Sequence, residues 1–234
     1  MPYLYETHLH TNQVSACGIS RGRDYIQRYL DQGYTGIIVT DHFYNGHCAL
    51  NRNLPWEKWV HAFCRGYEDA RAEGARRGLD VFFGWEETFK GGDDYLVYGL
   101  DKYWLLEHPE VRYWSREEQF EAVRQDGGCV VHAHPFRLYY YIENIRFSVG
   151  FVDAVEVANS GNNQPFDAQA WAYAQENGLP ATAGSDIHRA DDLYGDNAMG
   201  VYLDKKIENI GEFVNIVKNN AISGLKVPAG RFNL

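Results

Sequence analysis

Residues 4–40 contain the pattern that decides the fold: an apolar run LYETHLH at 4–10, a helical pattern RDYIQRYLDQ at 23–32, and a second apolar run GIIVT at 36–40. A short strand candidate, usually followed by a helical pattern, then recurs along the chain, which predicts parallel strands joined by helical crossovers. The other strand candidates are residues 80–86, 95–100, 129–133, 154–157, 181–183 and 199–203, and the other helical patterns are residues 55–77, 115–126, 166–177 and 210–219. About seven such units without a glycine-rich dinucleotide fingerprint favour a closed α/β barrel over an open doubly wound sheet.

The composition is that of one ordinary globular domain. The 234 residues contain no repeat, low-complexity tract or linker that would divide them, so we expect a single domain over 1–234. A net charge of −10 disfavours binding to long nucleic acids or anionic membranes. The sequence has neither an apolar run of about 18 residues nor the apolar core of a signal peptide, so we expect a cytoplasmic protein. Four widely spaced cysteines without a C-x-x-C pair predict free thiols.

Metal-binding residue types gather where the strand candidates end. These residues are His8 and His10, Asp41 and His42, Glu86 and Glu87, His132 and His134, and Asp186 and His188. In a parallel barrel the carboxyl ends of the strands meet in one mouth, so these side chains are expected to converge. His8 and His10 are two residues apart on a strand and therefore face the same side. Each cluster alone has an ordinary structural explanation, such as a core histidine or a helix cap. Together they would bury several ionisable groups without a counter-ion, a cost that divalent cations remove.

The ordered motifs THLHT (7–11), VTDH (39–42), FGWE (83–86), HAHPFR (132–137) and GSDIH (184–188) resemble those of the PHP (polymerase and histidinol phosphatase) family of metal-dependent phosphoesterases. The resemblance implies a distorted (β/α)7 barrel, similar to a TIM barrel, that holds two or three divalent ions and hydrolyses phosphate esters. It implies that His8, His10, Glu86 and Asp186 hold the first ion, Glu86 and His134 the second, and His42 and His188 the third, with Glu86 bridging two ions.

Two positions depart from the family pattern. Ala16 stands where the family often has Asp or His, and Cys17 follows it, so Cys17 is a candidate ligand of the third ion; the alternative is an ordinary buried cysteine. A thiolate favours zinc or iron over magnesium. Asp94 stands where the family tends to have a histidine, and a carboxylate is an acceptable substitute on a harder ion. The alternative for Asp94 is a charge at the start of a strand.

Two arginines follow the ligand motifs directly. Arg137 comes after H-P-F and Arg189 after D-I-H, and a guanidinium matches phosphate oxygens bidentately, so both are candidate phosphate clamps. The predicted catalytic group is therefore Glu86, His134, Asp186, Arg137 and Arg189. A metal-activated water serves as nucleophile, which agrees with the absence of a G-x-S-x-G elbow and of a Walker loop. Asp41 is expected to orient a ligand, and His132 to lie in the core or behind the ligands.

The substrate class is less sharply defined. The acidic chain favours a small phosphorylated metabolite or a nucleotide, and we expect nucleic acid only as a nucleotide or a short end. The many aromatic residues, including Trp56, Trp59, Trp85 and the run 139–141, either stack on a base or pack the barrel helices, and packing is favoured. The expected cofactors are zinc, iron or manganese. Two alternatives are a metal-dependent amidohydrolase and a metal-binding protein without activity, and the sequence does not define the oligomeric state.

Overall fold

A nine-stranded mixed sheet forms the centre of the protein in the computed structural model, which describes residues 2–139, 142, 146, 147 and 149–233. The strands are β1 (Tyr3–Glu6), β2 (Gly36–Val39), β3 (Asp80–Thr88), β4 (Asp94–Tyr98), β5 (Cys129–His132), β6 (Ala154–Asn159), β7 (Ala181–Gly184), β8 (Gly200–Leu203) and β9 (Gly224–Lys226). The helices are α1 (Gly22–Asp31), α2 (Trp56–Phe63), α3 (Arg65–Arg77), α4 (Lys102–Glu107), α5 (Arg116–Gln125), α6 (Gln164–Glu176) and α7 (Ile210–Lys218).

The sheet is nearly closed into a barrel. Its strand order is β7-β6-β5-β4-β3-β2-β1-β8-β9. The chain beyond β7 bridges the chain beyond β1 in parallel at Leu9 and Ile187, and His10 N donates a hydrogen bond to Ile187 O over 2.9 Å. The ends of the first and seventh strands therefore meet. The prediction of an α/β barrel is confirmed.

The strand count and the strand directions differ from the expected seven parallel units. β3 pairs antiparallel with β4, and β4 with β5, while β8 runs antiparallel to both β1 and β9. Residues 89–93 connect β3 to β4, and five residues are too few for the crossover that parallel neighbours need. The sheet is therefore mixed, with parallel pairs β1–β2, β2–β3, β5–β6 and β6–β7.

Local signals account for most helix ends. Ser115 and Glu118 form a reciprocal capping box at the start of α5, and Gly127 and Gly178 adopt positive φ angles of 84° and 63° beyond α5 and α6. The helical pattern at 55–77 is two helices that meet at Cys64. Just beyond this break, a Cβ on Gly66 would lie 2.1 Å from Thr11 Oγ1, so the second helix approaches the loop after β1 closely.

The tryptophans pack against the apolar core, and one of them, Trp114, also lines a cavity. Trp59 and Trp85 are fully buried, and Trp56, Trp104 and Trp114 join the same apolar cluster. This arrangement agrees with the packing interpretation; Tyr140 and Tyr141 lie outside the described residues. None of the helices in the described part of the chain is long and apolar enough to cross a membrane.

Candidate metal centre

Four side chains converge at the carboxyl end of the barrel around one point. His8 Nε2 lies 3.1 Å from His10 Nε2, 3.3 Å from Glu86 Oε1 and 3.4 Å from Asp186 Oδ1. His10 Nε2 lies 3.3 Å from Glu86 Oε2 and 3.1 Å from Asp186 Oδ1. In tetrahedral coordination with metal–ligand bonds of about 2.1 Å, neighbouring donor atoms are about 3.4 Å apart. The two histidines thus lie at coordination-sphere spacing from each other, from Asp186 and from one oxygen each of Glu86.

Glu86 extends this group toward two further clusters. Its Oε1 lies 3.1 Å from His134 Nε2, and its Oε2 lies 2.8 Å from His42 Nδ1. Ligand atoms of Glu86, Asp94 and His134 lie within 4.8 Å of one another. Asp94 Oδ2 is 4.0 Å from His134 Nε2. The carboxylate of Glu86 is therefore shared between neighbouring clusters, as a bridging ligand would be.

A third cluster combines histidine nitrogens with a thiol. Ligand atoms of His10, His42 and His188 lie within 4.8 Å of one another, and so do those of Cys17, His42 and His47. Burial alone would raise the pKa of Cys17, but hydrogen bonds with His188 and His42 outweigh it and lower the pKa to about 6. Cys17 is therefore close to two imidazoles that favour its thiolate form.

Several features fit bound divalent ions. His42 Nδ1 and Glu86 Oε2 are buried and 2.8 Å apart, yet neither has a hydrogen-bond partner among the described residues. Two such atoms are placed as two ligands of one ion would be.

His134 and Asp186 have positive φ angles of 30° and 51°, a strained conformation that clusters at functional sites. A Cβ on Gly184 would lie 2.5 Å from His8 Cβ, so only glycine leaves space for that imidazole.

Buried hydrogen-bond partners orient the imidazoles. Glu156 Oε1 accepts a hydrogen bond from His8 Nδ1 over 2.9 Å, which leaves His8 Nε2 as the donor for an ion. Ser15 Oγ lies 3.2 Å from His10 Nδ1 and donates to Asp41 Oδ1 over 2.7 Å. Asp41 therefore lies outside the cluster of donor atoms, as expected, and orients the imidazole of His10 through Ser15.

The local charges shift the pKa values of the donor groups in both directions. Burial alone would raise the pKa of Asp186, but His8 and Arg137 hold it well below its usual range. Burial, together with His42 and His188, lowers the pKa of His10 well below its ordinary value, so this imidazole is neutral. Burial and the Glu86 carboxylate raise the pKa of Asp94 to about 6. Metal binding requires neutral imidazoles and ionised carboxylates. His10 and Asp186 meet that condition, whereas nearby carboxylates outweigh burial and raise the pKa of His8 and His42 well above the usual value. These two imidazoles would therefore release protons when an ion binds.

A cavity of about 580 Å³ opens onto the clusters, and only one of the two predicted clamp arginines lines it. Arg137 Nη2 donates to Asp186 Oδ2 over 2.8 Å and to Asn159 Oδ1 over 2.7 Å, and Arg137 Nε donates to Asn162 Oδ1 over 2.8 Å. Arg189 lies outside the cavity with an exposed side chain, 4.0 Å from Asp192 Oδ2. The geometry does not support a clamp role for Arg189.

Two predicted strand-end groups do not contribute to the clusters. Glu87 is buried on the opposite face of β3, where its Oε2 accepts a hydrogen bond from Gln119 Nε2 over 3.0 Å. His132 stacks on Tyr95 with ring centroids 4.7 Å apart, and burial, His134 and Arg116 lower its pKa to about 3. Both are core residues, which for His132 is one of the two expected locations.

Sequence reasoning missed His47 and Ser15. His47 lies five residues after His42 in the same loop, and its backbone carbonyl accepts a hydrogen bond from Ala16 N over 2.8 Å. That contact brings the loop after β2 against the loop before α1. The spacing His42-x4-His47 within one loop was the available signal. Ser15 carries no motif of its own in the sequence.

The chain is similar to known proteins in fold and, over part of its length, in sequence. A family profile described as PHP-associated matches residues 167–222. A two-domain protein from Bacteroides vulgatus containing a predicted PHP-like metal-dependent phosphoesterase has a TM-score of 0.68 and 14% identity, covering 97% of this chain and 65% of that one. The resemblance to the PHP family is confirmed.

Two further solved structures are similar to this chain in fold. An amidohydrolase from Chromobacterium violaceum with bound sulfate has a TM-score of 0.57 and 16% identity, covering 98% of this chain and 99% of that one. Endonuclease Q in complex with a DNA duplex containing an abasic lesion has a TM-score of 0.59 and 13% identity, covering 97% of this chain and 58% of that one. None of the curated proteins matches the chain significantly. At these identities the likeness establishes the fold alone.

Alkylation of Cys17 tests whether its thiol binds a metal ion. We expect iodoacetamide at pH 7 to modify Cys17 in metal-free protein, because its pKa is about 6. Cys48, Cys64 and Cys129 are buried and have raised pKa values, so they serve as internal controls. Bound metal is expected to slow the reaction of Cys17 at least tenfold, as measured by peptide mass spectrometry. Equal rates with and without metal would remove Cys17 from the ligand set.

Glu87 is expected to give this α/β barrel a pH-dependent stability. Burial outweighs the hydrogen bond from Gln119 and raises the pKa of Glu87 to about 8. Between the ordinary value of 4.5 and about 8, the folded chain holds a proton that the unfolded chain has lost, so stability falls as the pH rises through this window. Glu87→Gln removes this loss. We expect its advantage in unfolding free energy to grow by up to about 1.4 kcal/mol per pH unit across this window.

Urea denaturation of both proteins at pH 5 and at pH 7.5 measures this effect. The exposed Glu121→Gln on α5 is the control, and it should show the same difference from the wild type at both pH values. If Glu87→Gln also differs from the wild type by the same amount at both pH values, Glu87 is not protonated in the folded chain.

Proposed function

We propose that this chain is a metal-dependent phosphoesterase that hydrolyses a phosphate ester of a small metabolite or a nucleotide with two or three divalent ions. The convergence of donor atoms from His8, His10, Glu86 and Asp186 at separations of 3.1–3.4 Å carries the proposal. His134 and Asp94 would hold a second ion with Glu86, and His42, His188 and Cys17 a third. The mixed nitrogen, oxygen and sulfur donors suit zinc, iron or manganese better than magnesium.

The protein's own residues account for binding and orientation. Bound divalent ions would supply Lewis-acid chemistry, lowering the pKa of water and neutralising charge on phosphoryl oxygens. Arg137 lines the cavity, and hydrogen bonds to Asn159, Asn162 and Asp186 hold its guanidinium in position. Its Nη1 donates none of the side-chain hydrogen bonds found within the described residues, so that donor remains for a phosphoryl oxygen. Glu156 and Asp41 hold His8 and His10 in fixed orientations.

Phosphate release from phenyl phosphate tests the proposal. We expect the metal-loaded protein to release inorganic phosphate, chelation to abolish the release, and added zinc, iron or manganese to restore it. His10→Ala, which removes one donor at the centre of the cluster, is the matched variant and should lose metal and activity while keeping its circular dichroism spectrum. A fully active variant with unchanged metal content would contradict the proposal.

A second candidate is a metal-dependent amidohydrolase, which the fold of the sulfate-bound Chromobacterium protein favours. The same donor set would then promote attack of water on a carbonyl carbon. A panel of N-acyl amides and lactones distinguishes the two reactions. Turnover of the panel without phosphate release would favour this candidate. Bound metal without either activity would favour the third alternative, a metal-binding protein without activity.

A further inference from the structure

A second cavity adjoins the metal cavity and has a different chemistry. It measures about 530 Å³, and it shares Asn45 and Thr88 with the metal cavity as lining residues. Thr88 connects the two physically, since its Oγ1 donates a hydrogen bond to Asp94 Oδ1 over 2.6 Å. The second cavity is therefore the neighbour of the metal cavity across Asn45 and Thr88.

The second cavity is cationic on a chain whose net charge is −10. Lys90, Arg112, Arg116 and Arg146 line it, and Glu117 is its only lining carboxylate among the described residues. Two of the four cations are paired: Arg116 Nη2 lies 2.8 Å from Glu117 Oε1, and Arg146 Nε lies 2.8 Å from Asp93 Oδ2. Lys90 and Arg112 have no ion-pair partner within the described residues. Two uncompensated positive charges thus face one cavity.

Aromatic rings contact the guanidinium of Arg112. Its guanidinium lies 4.9 Å from the ring centroid of Trp56 and 4.9 Å from that of Tyr113. Its Nε is buried and has no hydrogen-bond partner among the described residues. Aromatic faces fix the guanidinium while leaving its donors unused, and a buried unused donor is costly. An anion in the cavity would compensate the charge of the guanidinium.

We infer that this cavity binds a second anionic group of the substrate, so that the preferred ester carries a carboxylate or a further phosphate at a distance from the scissile phosphate. This inference rests on the proposed function for the location of the scissile group. Lys90 contributes charge from the β3–β4 turn, and Arg112 contributes oriented donors from the segment before α5. Both are specificity residues, since the metal clusters use neither.

The test compares phenyl phosphate with its 3-carboxy and 4-carboxy derivatives. We expect the wild type to prefer at least one carboxylated ester, as judged by kcat/KM. Lys90→Ala and Arg112→Met should each reduce that preference about tenfold, as the loss of a hydrogen-bonded or charged contact does. Turnover of phenyl phosphate itself should stay within twofold. Lys90→Arg should restore most of the preference, and Lys58→Ala, an exposed lysine that lines neither cavity, should change nothing.

Calorimetric binding of benzylphosphonate and its 3-carboxy and 4-carboxy derivatives provides a readout that does not depend on turnover. A tenfold tighter binding of a carboxylated phosphonate that both variants abolish supports the inference. If the wild type and both variants each bind all three phosphonates with equal affinity, the inference is overturned. Phosphate release from the esters would still support the proposed function. If no ester is hydrolysed, the proposed function fails and phosphonate binding alone decides the inference.

Discussion

Glu86→Gln is expected to lose metal from two clusters at once and to reduce kcat/KM by more than ~100-fold, because losing even a partner that orients a metal ligand typically costs 10–100-fold. Glu86 Oε1 lies 3.1 Å from His134 Nε2, and Oε2 lies 3.3 Å from His10 Nε2 and 2.8 Å from His42 Nδ1. A neutral amide keeps the shape of the carboxylate and removes its charge. Metal content and phosphate release, measured on the same preparation, report both effects.

Glu87→Gln is the matched control for this variant. It makes the same chemical change one residue further along β3, at a buried carboxyl that faces Gln119 instead of the clusters. We expect unchanged metal content and activity. If both variants behave alike, the effect is one of strand stability. If Glu86→Gln retains its full metal content, Glu86 does not bridge the clusters.

Arg137→Met is expected to lower kcat/KM by about 100-fold, the upper range for lost hydrogen bonds to a charged group. Arg137 is the one arginine or lysine that lines the metal cavity among the described residues. Its contacts with Asp186 and Asn159 fix its position before any substrate binds. Arg137→Lys should recover only part of the activity, since an ammonium group cannot reproduce the guanidinium fork.

Arg189→Met is the control for Arg137→Met. Arg189 is exposed and directed to Asp192, so its loss should change kcat/KM by less than about threefold, as expected of an ordinary surface substitution. Metal content should be measured for both variants, because Arg137 also contacts Asp186. A larger effect at Arg189 than at Arg137 would reverse the assignment that the geometry supports.

Much of the barrel was predictable because its signals are local. The strand at 36–40 is apolar throughout and precedes a polar pair, and the structure has β2 at Gly36–Val39. The capping box at Ser115 and Glu118 marked the start of α5 correctly. The H-x-H spacing predicted that His8 and His10 face the same side, and their Nε2 atoms are 3.1 Å apart. Period-two geometry was sufficient for that inference.

What the sequence did not reveal depends on contacts distant along the chain. The antiparallel direction of β4 follows from the connection at 89–93, which is too short for the crossover that a parallel neighbour needs. His47 joins Cys17 only because a backbone hydrogen bond brings two loops together. Arg137 and Arg189 both follow a ligand motif directly. Arg137 nevertheless donates hydrogen bonds to Asn159 and Asn162, whereas the side chain of Arg189 is exposed. No local pattern distinguishes such cases.

Metal stoichiometry of the purified protein tests the central claim most directly. After reconstitution with zinc, iron or manganese and removal of loosely bound ions, elemental analysis by plasma mass spectrometry should find two or three ions per chain. His8→Ala measured in parallel should hold at least one fewer, since His8 Nε2 lies within 3.4 Å of three other donor atoms. A content below one ion per wild-type chain under every condition would contradict the account, because the converging side chains would then not form a metal site.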